Sequence, residues 1–502
     1  MNANPQNAAA QSAGGEKWSS KAAFILAAIG SAVGLGNLWR FPYVAGENGG
    51  GAFVVFYIIC VLLIGLPVLV AELFIGRRGG KSAVGSVVTI AKAEGRSSIW
   101  ALQSWIGMIG SFIILTFYSV IAGWVMAYAV MIAGDLAASV GKNGLAGLGA
   151  GAFDGQSRDE VSAKLGELLN NPARMIFYHA IFMVVSVAIV ARGIKGGIET
   201  AVTVLMPAFF VLLIILFGFS LIEGDSRQGI DFLLGVRTED FAEGFKNGSV
   251  IQAALGQAFF SIGLGSALMA TYGSYMTKEQ DLPKSSRTIA LADTAVGIVA
   301  GLAIFPIVFG MGLNAEVGPT LMFVTLPLAF QSMPIGGLFG LAFFLLAFFA
   351  AITSSIALLE TATKWVDEQS AGNHRAKSAF VIGMMVFVLG IANALSQVSP
   401  DNDMFFNTWR PWGGIALFQD ADGNAVELLS FLSSLTDLVL PIAGLITAIF
   451  AGWIVSAATA REAIGFKSDK WFQRWRFLIR FVCPIGIGAV VIYSTIIAPF
   501  FL

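Results

Sequence analysis

Residues 22–46 read AAFILAAIGSAVGLGNLWRFPYVAG, an apolar stretch long enough to cross a bilayer but interrupted near its middle by Gly34 and Gly36. Glycine lets the backbone leave a helix without steric cost. Because lipid cannot satisfy backbone hydrogen bonds, unwound backbone at membrane depth persists only within protein or beside a polar cavity. This stretch therefore predicts a broken helix that lies next to a polar site.

A second apolar stretch, QAALGQAFFSIGLGSALMATYGSY at 252–275, repeats the motif with Gly263 and Gly265. Each Gly-Leu-Gly precedes a small polar residue, Asn37 or Ser266. A single motif of this kind is commonly a close-packing contact between helices, and that alternative applies to each motif alone. Two motifs at corresponding positions in two halves are instead typical of a transporter's substrate site, and they predict a five-plus-five repeat.

The composition of the 502 residues places the chain in a membrane, since 56% are hydrophobic, only 12% are charged and mean hydropathy is +0.78. The net charge of -1 gives no indication of a nucleic-acid partner. Two cysteines in apolar runs and two distant histidines predict neither a disulfide framework nor a metal centre. No nucleophile-base pair or phosphate-binding loop is recognisable, so the sequence does not predict an enzyme.

Eleven stretches reach the roughly 20 apolar residues that a spanning helix needs. Numbered as spans 1 to 11, they are 22–45, 52–76, 99–134, 175–192, 200–222, 250–276, 286–313, 338–366, 377–396, 431–457 and 475–500. Lys and Arg concentrate after the even-numbered spans, whereas long loops that carry most of the acidic residues follow spans 3, 5 and 9. By the positive-inside rule, the N-terminus is expected in the cytoplasm and the C-terminus outside an inner or plasma membrane.

The predicted domains follow from this count of spans. They are a cytoplasmic tail at 1–21, a first inverted repeat of spans 1–5 at 22–222, an extracellular loop at 223–249, a second repeat of spans 6–10 at 250–457, and a cytoplasmic loop with span 11 at 458–502.

Ionisable residues inside predicted spans are expensive, at about 2.5 kcal/mol or more on insertion scales, and so each needs a partner or a purpose. They are Arg40, Glu72, Asp293 and Glu360. Asp293 is the best candidate ligand for a monovalent cation, and the alternative is an aspartate that snorkels toward the cytoplasm near a helix start. Span 8 offers the hydroxyls of Thr353, Ser354 and Ser355, which either bond to their own helix or complete an oxygen cage for a cation.

AVGLGNLWRFPYVAGENGGGAF at 32–53 resembles the signature of the neurotransmitter:sodium symporter family, bacterial amino acid transporter branch. GQAFFSIGLG, AFFAAITSSIALLE and the ARGIKGGIE at 191–199 resemble later motifs of that family, so the likeness covers nearly the whole chain. It implies an all-α membrane protein of about 11 transmembrane helices, with a five-plus-five inverted repeat, spans 1 and 6 unwound mid-membrane, and alternating access.

The resemblance also implies two sodium sites. The first is formed by the carbonyl of Ala32 with the side chains of Asn37, Ser261 and Asp293. The second is formed by the carbonyls of Gly30, Val33 and Ala350 with the hydroxyls of Thr353 and Ser354.

By the same likeness, the substrate carboxylate meets the amides of Leu35 and Gly36, the Tyr118 hydroxyl and the first sodium. The physics agrees, because the N-terminus of a half-helix offers unpaired N–H groups and a positive dipole end to an anion. Other substrate contacts fall on Ala32, Gly34, Ile114, Phe260, Ser261, Gly263, Ser266, Ser354 and Leu358. Phe260 is also expected to cover the site, and the alternative for Tyr118 and Phe260 is simple packing between helices.

Five positions shape the expected ions and substrate. Asp293 stands where many family members have asparagine, and Gly297 stands where a chloride-site serine or its acidic substitute is found. We therefore expect Asp293 to supply the negative charge itself and chloride not to be required. Gly34 replaces the aspartate of the monoamine branch, which indicates an amino acid substrate. Gly263 and Ser266 are small and predict room for a bulky or aromatic side chain, while a beta- or gamma-amino acid stays open.

The resemblance also assigns the residues that form the gates, and this sequence departs from the family pattern at two of them. Arg40 resembles the outer-gate arginine, but Asp437 lies deeper in span 10 than the expected partner, so the pair stays open. On the cytoplasmic side, Trp18 and Glu368 match gate positions, with Glu72 and Tyr275 as supporting residues. The basic residue of that gate aligns with Gly15, which leaves Lys17 or Lys21 as substitutes.

The sequence thus predicts a sodium-coupled symporter that imports an amino acid, with sodium as coupling ion, the lipid bilayer as surroundings and no organic cofactor. Because ion and carboxylate share one site, each raises the other's affinity. Two alternatives stay open. One is a receptor-like member that binds without transport, and the other is a proton-coupled transporter that uses Glu72 or Asp293.

Overall fold

The computed structural model describes residues 16–236, 248–313, 320–370, 374–399, 405–412, 415, 419 and 424–497. Most of the predicted tail and parts of the loops 223–249 and 397–430 lie outside these ranges. Within them, nine helices are long and apolar enough to cross a membrane. They are Gly51–Gly79, Ser98–Gly149, Pro172–Ala191, Ile194–Glu223, Leu282–Gly310, Gly336–Gln369, Arg375–Leu395, Leu428–Ile454 and Asp469–Thr495, and they correspond to predicted spans 2–5 and 7–11.

The two remaining spans are broken. Span 1 consists of Lys21–Ala32 and Gly36–Glu47, which meet at an angle of 53°. Span 6 consists of Ser249–Ile262 and Leu268–Gly273, and neither half alone reaches the length of a spanning helix. These two spans complete the predicted set of eleven and confirm the fold class as an all-α membrane protein.

Several helices outside the spans were not predicted from hydropathy, because each is shorter than a spanning helix, although Ala83–Ala93 and Leu321–Gln331 are apolar. They are Ala83–Ala93, Arg158–Leu169, Ser226–Leu234, Leu321–Gln331, Phe405–Thr408 and Ala457–Ile464. Side-chain caps mark where helices begin. The Asp281 carboxylate accepts from the Lys284 N–H at 3.0 Å, so span 7 starts at Leu282, four residues before the predicted start at 286.

Burial divides the spans into an inner and an outer group. The apolar windows of spans 3 and 8 are 78% and 72% buried, whereas those of spans 4, 5 and 11 are 33%, 28% and 17% buried. Span 3 packs along spans 8 and 10, and the first half of span 1 lies against spans 5, 7 and 8. The outer spans therefore face lipid, and the break in span 1 lies in the protein interior.

Candidate ion and substrate site

The break in span 6 is fixed by backbone torsion. Gly263 and Gly265 have φ angles of +72° and +74°, and Ala267 follows at +60°. This left-handed region strains residues with a side chain, so it favours glycine at the first two positions. Space is also closed at Gly265, where an added Cβ would lie 2.0 Å from the carbonyl oxygen of Leu440.

The break in span 1 has a different cause. The helix ends at Ala32, and Val33 is extended with φ -74° and ψ 103°. Neither Gly34 nor Gly36 has a positive φ, so the prediction that backbone freedom explains both motifs is wrong for this one. A Cβ on Gly34 would lie 2.7 Å from Ser354 Oγ, and one on Gly36 would lie 2.8 Å from the Phe260 ring. Glycine is needed here because two other spans approach the backbone closely.

The three side chains predicted to bind the first sodium, Asn37, Ser261 and Asp293, form a buried cluster. Asn37 Nδ2 donates to Asp293 Oδ1 at 2.8 Å and to Ser261 Oγ at 2.9 Å. The Ser261 hydroxyl lies 2.8 Å from both carboxylate oxygens, and the Asn37 oxygen accepts from the Gly34 N–H at 3.0 Å. Asp293 lies eleven residues after the helix start at Leu282 and is fully buried, so it does not snorkel to the surface.

Tyr57 of span 2 also belongs to this cluster, and sequence reasoning missed it. Its hydroxyl donates to Asp293 Oδ2 at 3.2 Å. An aromatic residue in an apolar span gives no sequence signal of a polar role, because aromatic residues are common in spans. Nearby, a Cβ on Gly297 would lie 3.2 Å from the Phe41 ring, so a larger side chain at this position would have to displace that ring.

The predicted ligands of the second sodium site come from spans 1 and 8, and Ser354 joins the two spans. The Ser354 hydroxyl is 3.4 Å from the carbonyl oxygens of Gly30 and Val33. The Thr353 hydroxyl donates to the carbonyl of Ala350 at 3.1 Å, within its own helix. The structure therefore brings the Ser354 hydroxyl to two carbonyls at the end of the first half-helix of span 1, and a Cβ added to Gly30 would lie 3.2 Å from Thr353 Cβ.

Groups expected to bind a carboxylate converge at the same break. The Leu35 N–H donates to the Tyr118 hydroxyl at 3.3 Å. Tyr118 belongs to span 3 and is buried. Gln257, which was not predicted, donates to the Gly36 carbonyl at 3.3 Å and so joins the two broken spans.

Most of the residues predicted to contact the substrate line a cavity beside these groups. Every predicted substrate residue lines this cavity except Leu35, whose N–H donates to the hydroxyl of the lining residue Tyr118. Ser31, Leu268 and Leu440 complete the wall and were missed, since each reads as an ordinary residue of a span. The lining residues are Ser31, Ala32, Gly34, Gly36, Ile114, Tyr118, Phe260, Ser261, Gly263, Ser266, Leu268, Ser354, Leu358 and Leu440.

On the predicted outer side, an ion pair covers the cavity. Arg40 Nη2 lies 2.9 and 2.8 Å from the two oxygens of Asp437, and the Arg40 guanidinium lies 4.5 Å above the centre of the Phe260 ring. The expectation that Asp437 lies too deep is therefore wrong. Arg40 sits in a wide helical turn just after the break, and its long side chain reaches the ninth residue beyond the start of the helix at Leu428.

On the predicted cytoplasmic side, a cluster of aromatic residues packs between spans 1 and 6. The Trp18 indole N–H donates to the Tyr272 carbonyl at 3.2 Å, and its ring meets those of Tyr272 and Tyr275 edge to face. Lys17 donates to the Ser274 carbonyl at 2.7 Å, and partial burial lowers the pKa of this ammonium group. The segment that begins span 1 is thereby fastened to the end of span 6.

A charged network contacts this aromatic cluster through Tyr275. The Tyr275 hydroxyl donates to Glu360, whose other oxygen lies 2.5 Å from Arg375 Nη2. Arg375 also pairs with Glu16 at 3.5 Å. Glu360, an intramembrane acid without an assigned role in the sequence, is therefore paired and fully buried.

The structure does not bring Glu368 to Lys17 or to Lys21. Glu368 instead accepts from the Ser82 N–H at 2.8 Å, at the start of helix Ala83–Ala93. Lys17 is held by backbone carbonyls of span 6, which explains why it does not reach the carboxylate. Gly15 lies outside the described residues.

Glu72 stabilises the break in span 6. Its Oε1 accepts from the Gly265 N–H at 2.7 Å, and the side chain is only 3% exposed. The carboxylate thus satisfies a backbone donor that the break leaves without a helical partner.

Comparisons with known proteins agree with this geometry. Residues 15–137 and 160–406 match the model of the sodium:neurotransmitter symporter family. This chain belongs to that family. It is a sodium-coupled transporter of the membrane, and the family is not one of enzymes.

Relatives of this symporter are similar to it over nearly the full length of this chain. The uncharacterized sodium-dependent transporter YhdH of Bacillus subtilis is 35% identical over 94% of this chain and 96% of its own. The sodium-dependent nutrient amino acid transporter 1 of Drosophila yakuba is 26% identical over 96% of this chain and 78% of its own. The crystal structure of MhsT in complex with L-phenylalanine matches with a TM-score of 0.81 and 35% identity, over 95% of this chain and 99% of MhsT.

Proposed function

We propose that this symporter imports an α-amino acid with a large apolar or aromatic side chain, coupled to two sodium ions and without chloride. The observation that carries the proposal is the position of the Asp293 cluster next to the break in span 1. There, Asn37 links the buried Asp293 carboxylate to the N–H of Gly34, and the next amide, that of Leu35, contacts the Tyr118 hydroxyl. A cation at Asp293 would neutralise one carboxylate and attract that of the substrate.

This arrangement supplies a physical basis for coupling. A buried carboxylate without a cation is costly, and so is a substrate carboxylate brought into the same low-dielectric site. A sodium ion between the two lowers both costs. Sodium and substrate therefore bind more tightly together than apart, which is the coupling that symport requires. Asn37 would serve the ion by turning its amide oxygen toward the cluster.

The second site suits a cation of sodium's size. Calcium, whose ionic radius is close to that of sodium, binds oxygens at about 2.3–2.6 Å. Two oxygens that subtend a right angle at such an ion therefore lie about 3.3–3.7 Å from each other. The separations of 3.4 Å from Ser354 Oγ to the Gly30 and Val33 carbonyls fall in this range. These contacts join span 1 to span 8, so an ion there would fasten the two spans together.

Independence from chloride follows from the charge on Asp293. The Tyr57 and Ser261 hydroxyls, which could serve an anion, are directed at the Asp293 carboxylate. The Phe41 ring packs against Gly297, so no separate acidic residue is needed or accommodated there without a shift. The protein thus carries the compensating negative charge as a fixed part of the site.

The pocket wall supports a large apolar side chain. Ile114, Leu268, Leu358 and Leu440 line it, and Gly263 leaves space where a side chain would stand. L-phenylalanine bound to MhsT is a ligand of this kind. We place the chain in the inner (plasma) membrane with the N-terminus in the cytoplasm, on the basis of the basic residues that follow even-numbered spans.

The test is uptake of radiolabelled phenylalanine into proteoliposomes under a sodium gradient. We expect accumulation that needs sodium and is unchanged when gluconate replaces chloride. Loss of uptake without chloride would contradict the charge argument. Binding without accumulation would indicate a receptor, and accumulation driven by a pH gradient in sodium-free buffer would indicate proton coupling. Leucine, tryptophan, taurine and gamma-aminobutyrate as competitors would define the side chain.

A further inference from the structure

A groove that the transport site does not use opens on the predicted cytoplasmic side of the helix bundle. It lies between span 2, the start of span 7 and the start of span 11, and it encloses about 580 Å³. Its floor is apolar and includes Leu62, Leu66 and Leu291. Leu62 and Leu291 are 46% and 54% exposed, so the floor is open to the surrounding lipid.

The rim of this groove is basic. Lys284, Arg287, Lys467 and Arg474 lie along it, and all four are exposed. Asp281 is the acid in the lining; it lies 4.0 Å from Lys467 and already caps span 7. Among the described residues, Lys284, Arg287 and Arg474 form no ion pair with a carboxylate. The rim therefore carries an excess of positive charge at the membrane surface.

Aromatic side chains mark the level of the membrane boundary in the groove. Trp471 is 59% exposed, and the Arg474 guanidinium lies 4.9 Å from the centre of its ring. Trp475 is buried and donates to the Pro67 carbonyl at 3.0 Å, which forms a fixed wall. Exposed tryptophan is typical of the interface between lipid tails and headgroups.

The groove is preformed, because one side chain fastens its three walls. Arg77, near the end of span 2, donates to the Gln280 carbonyl at 2.7 Å, to the Ile464 carbonyl at 3.3 Å and to the Ala463 carbonyl. The Gln280 carbonyl belongs to the loop that leads into span 7, and the other two belong to the end of helix Ala457–Ile464, which precedes span 11. A ligand would therefore bind without the cost of assembling the rim.

We propose that this groove binds an anionic glycerophospholipid of the cytoplasmic leaflet. The phosphate lies among Lys284, Arg287 and Arg474, and an acyl chain follows Leu62 and Leu291. An apolar floor that opens sideways to lipid fits a chain that enters from the bilayer, and basic pockets at the cytoplasmic ends of spans attract anionic headgroups. The proposal rests on the predicted orientation and on the groove, and it is independent of the transported substrate.

Native mass spectrometry of the purified transporter tests this, with phosphatidylglycerol and phosphatidylcholine of equal chain length as probes. We expect the wild-type protein to retain phosphatidylglycerol at least about fivefold better, since a single cation near the headgroup contributes about that factor. The variant K284Q/R287Q/R474Q should lose the preference. The matched control K92Q/R96Q/K195Q removes three exposed cations outside the groove and should keep it.

A second variant tests the apolar floor of the groove separately from its basic rim. Leu291→Trp fills the apolar floor while keeping every cation, and we expect it to reduce phosphatidylglycerol retention severalfold. Melting temperatures in detergent show which variants are folded. Equal retention of both lipids by the wild type, or equal loss in the control variant, would overturn the proposal. Dimers that dissociate in K284Q/R287Q/R474Q with unchanged lipid retention would instead assign the groove to a second copy of the chain.

Discussion

The hydroxyl of Tyr57 donates to Oδ2 of Asp293 across 3.2 Å, which links span 2 to the carboxylate proposed to hold sodium. We expect Tyr57→Phe to raise the sodium concentration for half-maximal phenylalanine binding by about tenfold, because a hydrogen bond to a charged group contributes about 1.5–3 kcal/mol. Scintillation proximity binding measures this concentration, and Tyr178→Phe is the control. An unchanged sodium requirement would remove Tyr57 from the site.

Ser354 and Ser355 are neighbours in span 8 with different partners. Ser354 faces the carbonyls of span 1, whereas Ser355 bonds to Ser186 of span 4 at 2.9 Å. We expect Ser354→Ala to weaken sodium-dependent binding by about tenfold or more, through loss of one ligand to a charged group. Ser355→Ala should change it little. Equal effects of the two substitutions would contradict the assignment of the second ion site to Ser354.

Substitutions of Gly34 and Gly134 test whether close contact with other spans or backbone flexibility explains the glycine at the first break. A Cβ at Gly34 meets Ser354 Oγ and the Tyr118 hydroxyl, whereas a Cβ at Gly134 in span 3 meets nothing within 4 Å. We expect Gly34→Ala to reduce phenylalanine affinity by on the order of a hundredfold, since forced overpacking costs about 1–3 kcal/mol. Gly134→Ala should leave affinity unchanged and melting temperature equal or higher. Equilibrium binding and thermal unfolding measure these, and normal binding by Gly34→Ala would refute the close-approach argument.

Arg40 and Asp437 are expected to act as one unit. In a double-mutant cycle, Arg40→Gln and Asp437→Asn should each speed dissociation of bound phenylalanine, and the double variant should be no faster than either. Coupling of about 0.5–3 kcal/mol is typical of residues in such contact. The exposed pair Arg78–Glu462, at 3.1 Å, is the control and should show at most about 1 kcal/mol. Additive effects at Arg40 and Asp437 would show that the pair does not restrain the substrate.

Hydropathy and motifs were sufficient for the spans and for most of the pocket, because a spanning helix needs a long apolar run and the breaks carry glycine. Local sequence did not separate the two breaks, since a left-handed φ at Gly263 and a close neighbour at Gly34 both favour glycine. Only the packing of spans 3 and 8 against span 1 distinguishes these causes.

Residues that act through tertiary contact were the ones missed. Tyr57, Leu268 and Leu440 have no feature in sequence that separates them from other apolar residues of spans. Asp437 was recognised as a candidate partner of Arg40. Its depth along the helix was judged too great only because the sequence does not give the reach of the Arg40 side chain. Glu368 was visible too, and its contact with Ser82 depends on where helix Ala83–Ala93 begins.

The two halves of span 6 have a consequence for how this protein is made. The half Leu268–Gly273 has six residues and the other half has fourteen, so neither spans about 30 Å of hydrocarbon as a helix. Its unpaired backbone becomes acceptable in lipid only when Glu72 of span 2 reaches Gly265 and span 10 covers the turn at Leu440. Because span 10 is synthesised long after span 6, the turn must stay incompletely enclosed while the intervening spans enter the membrane. Maturation of the binding site is therefore a late event in biogenesis, and chains truncated before span 10 should insert their earlier spans yet fail to bind ligand.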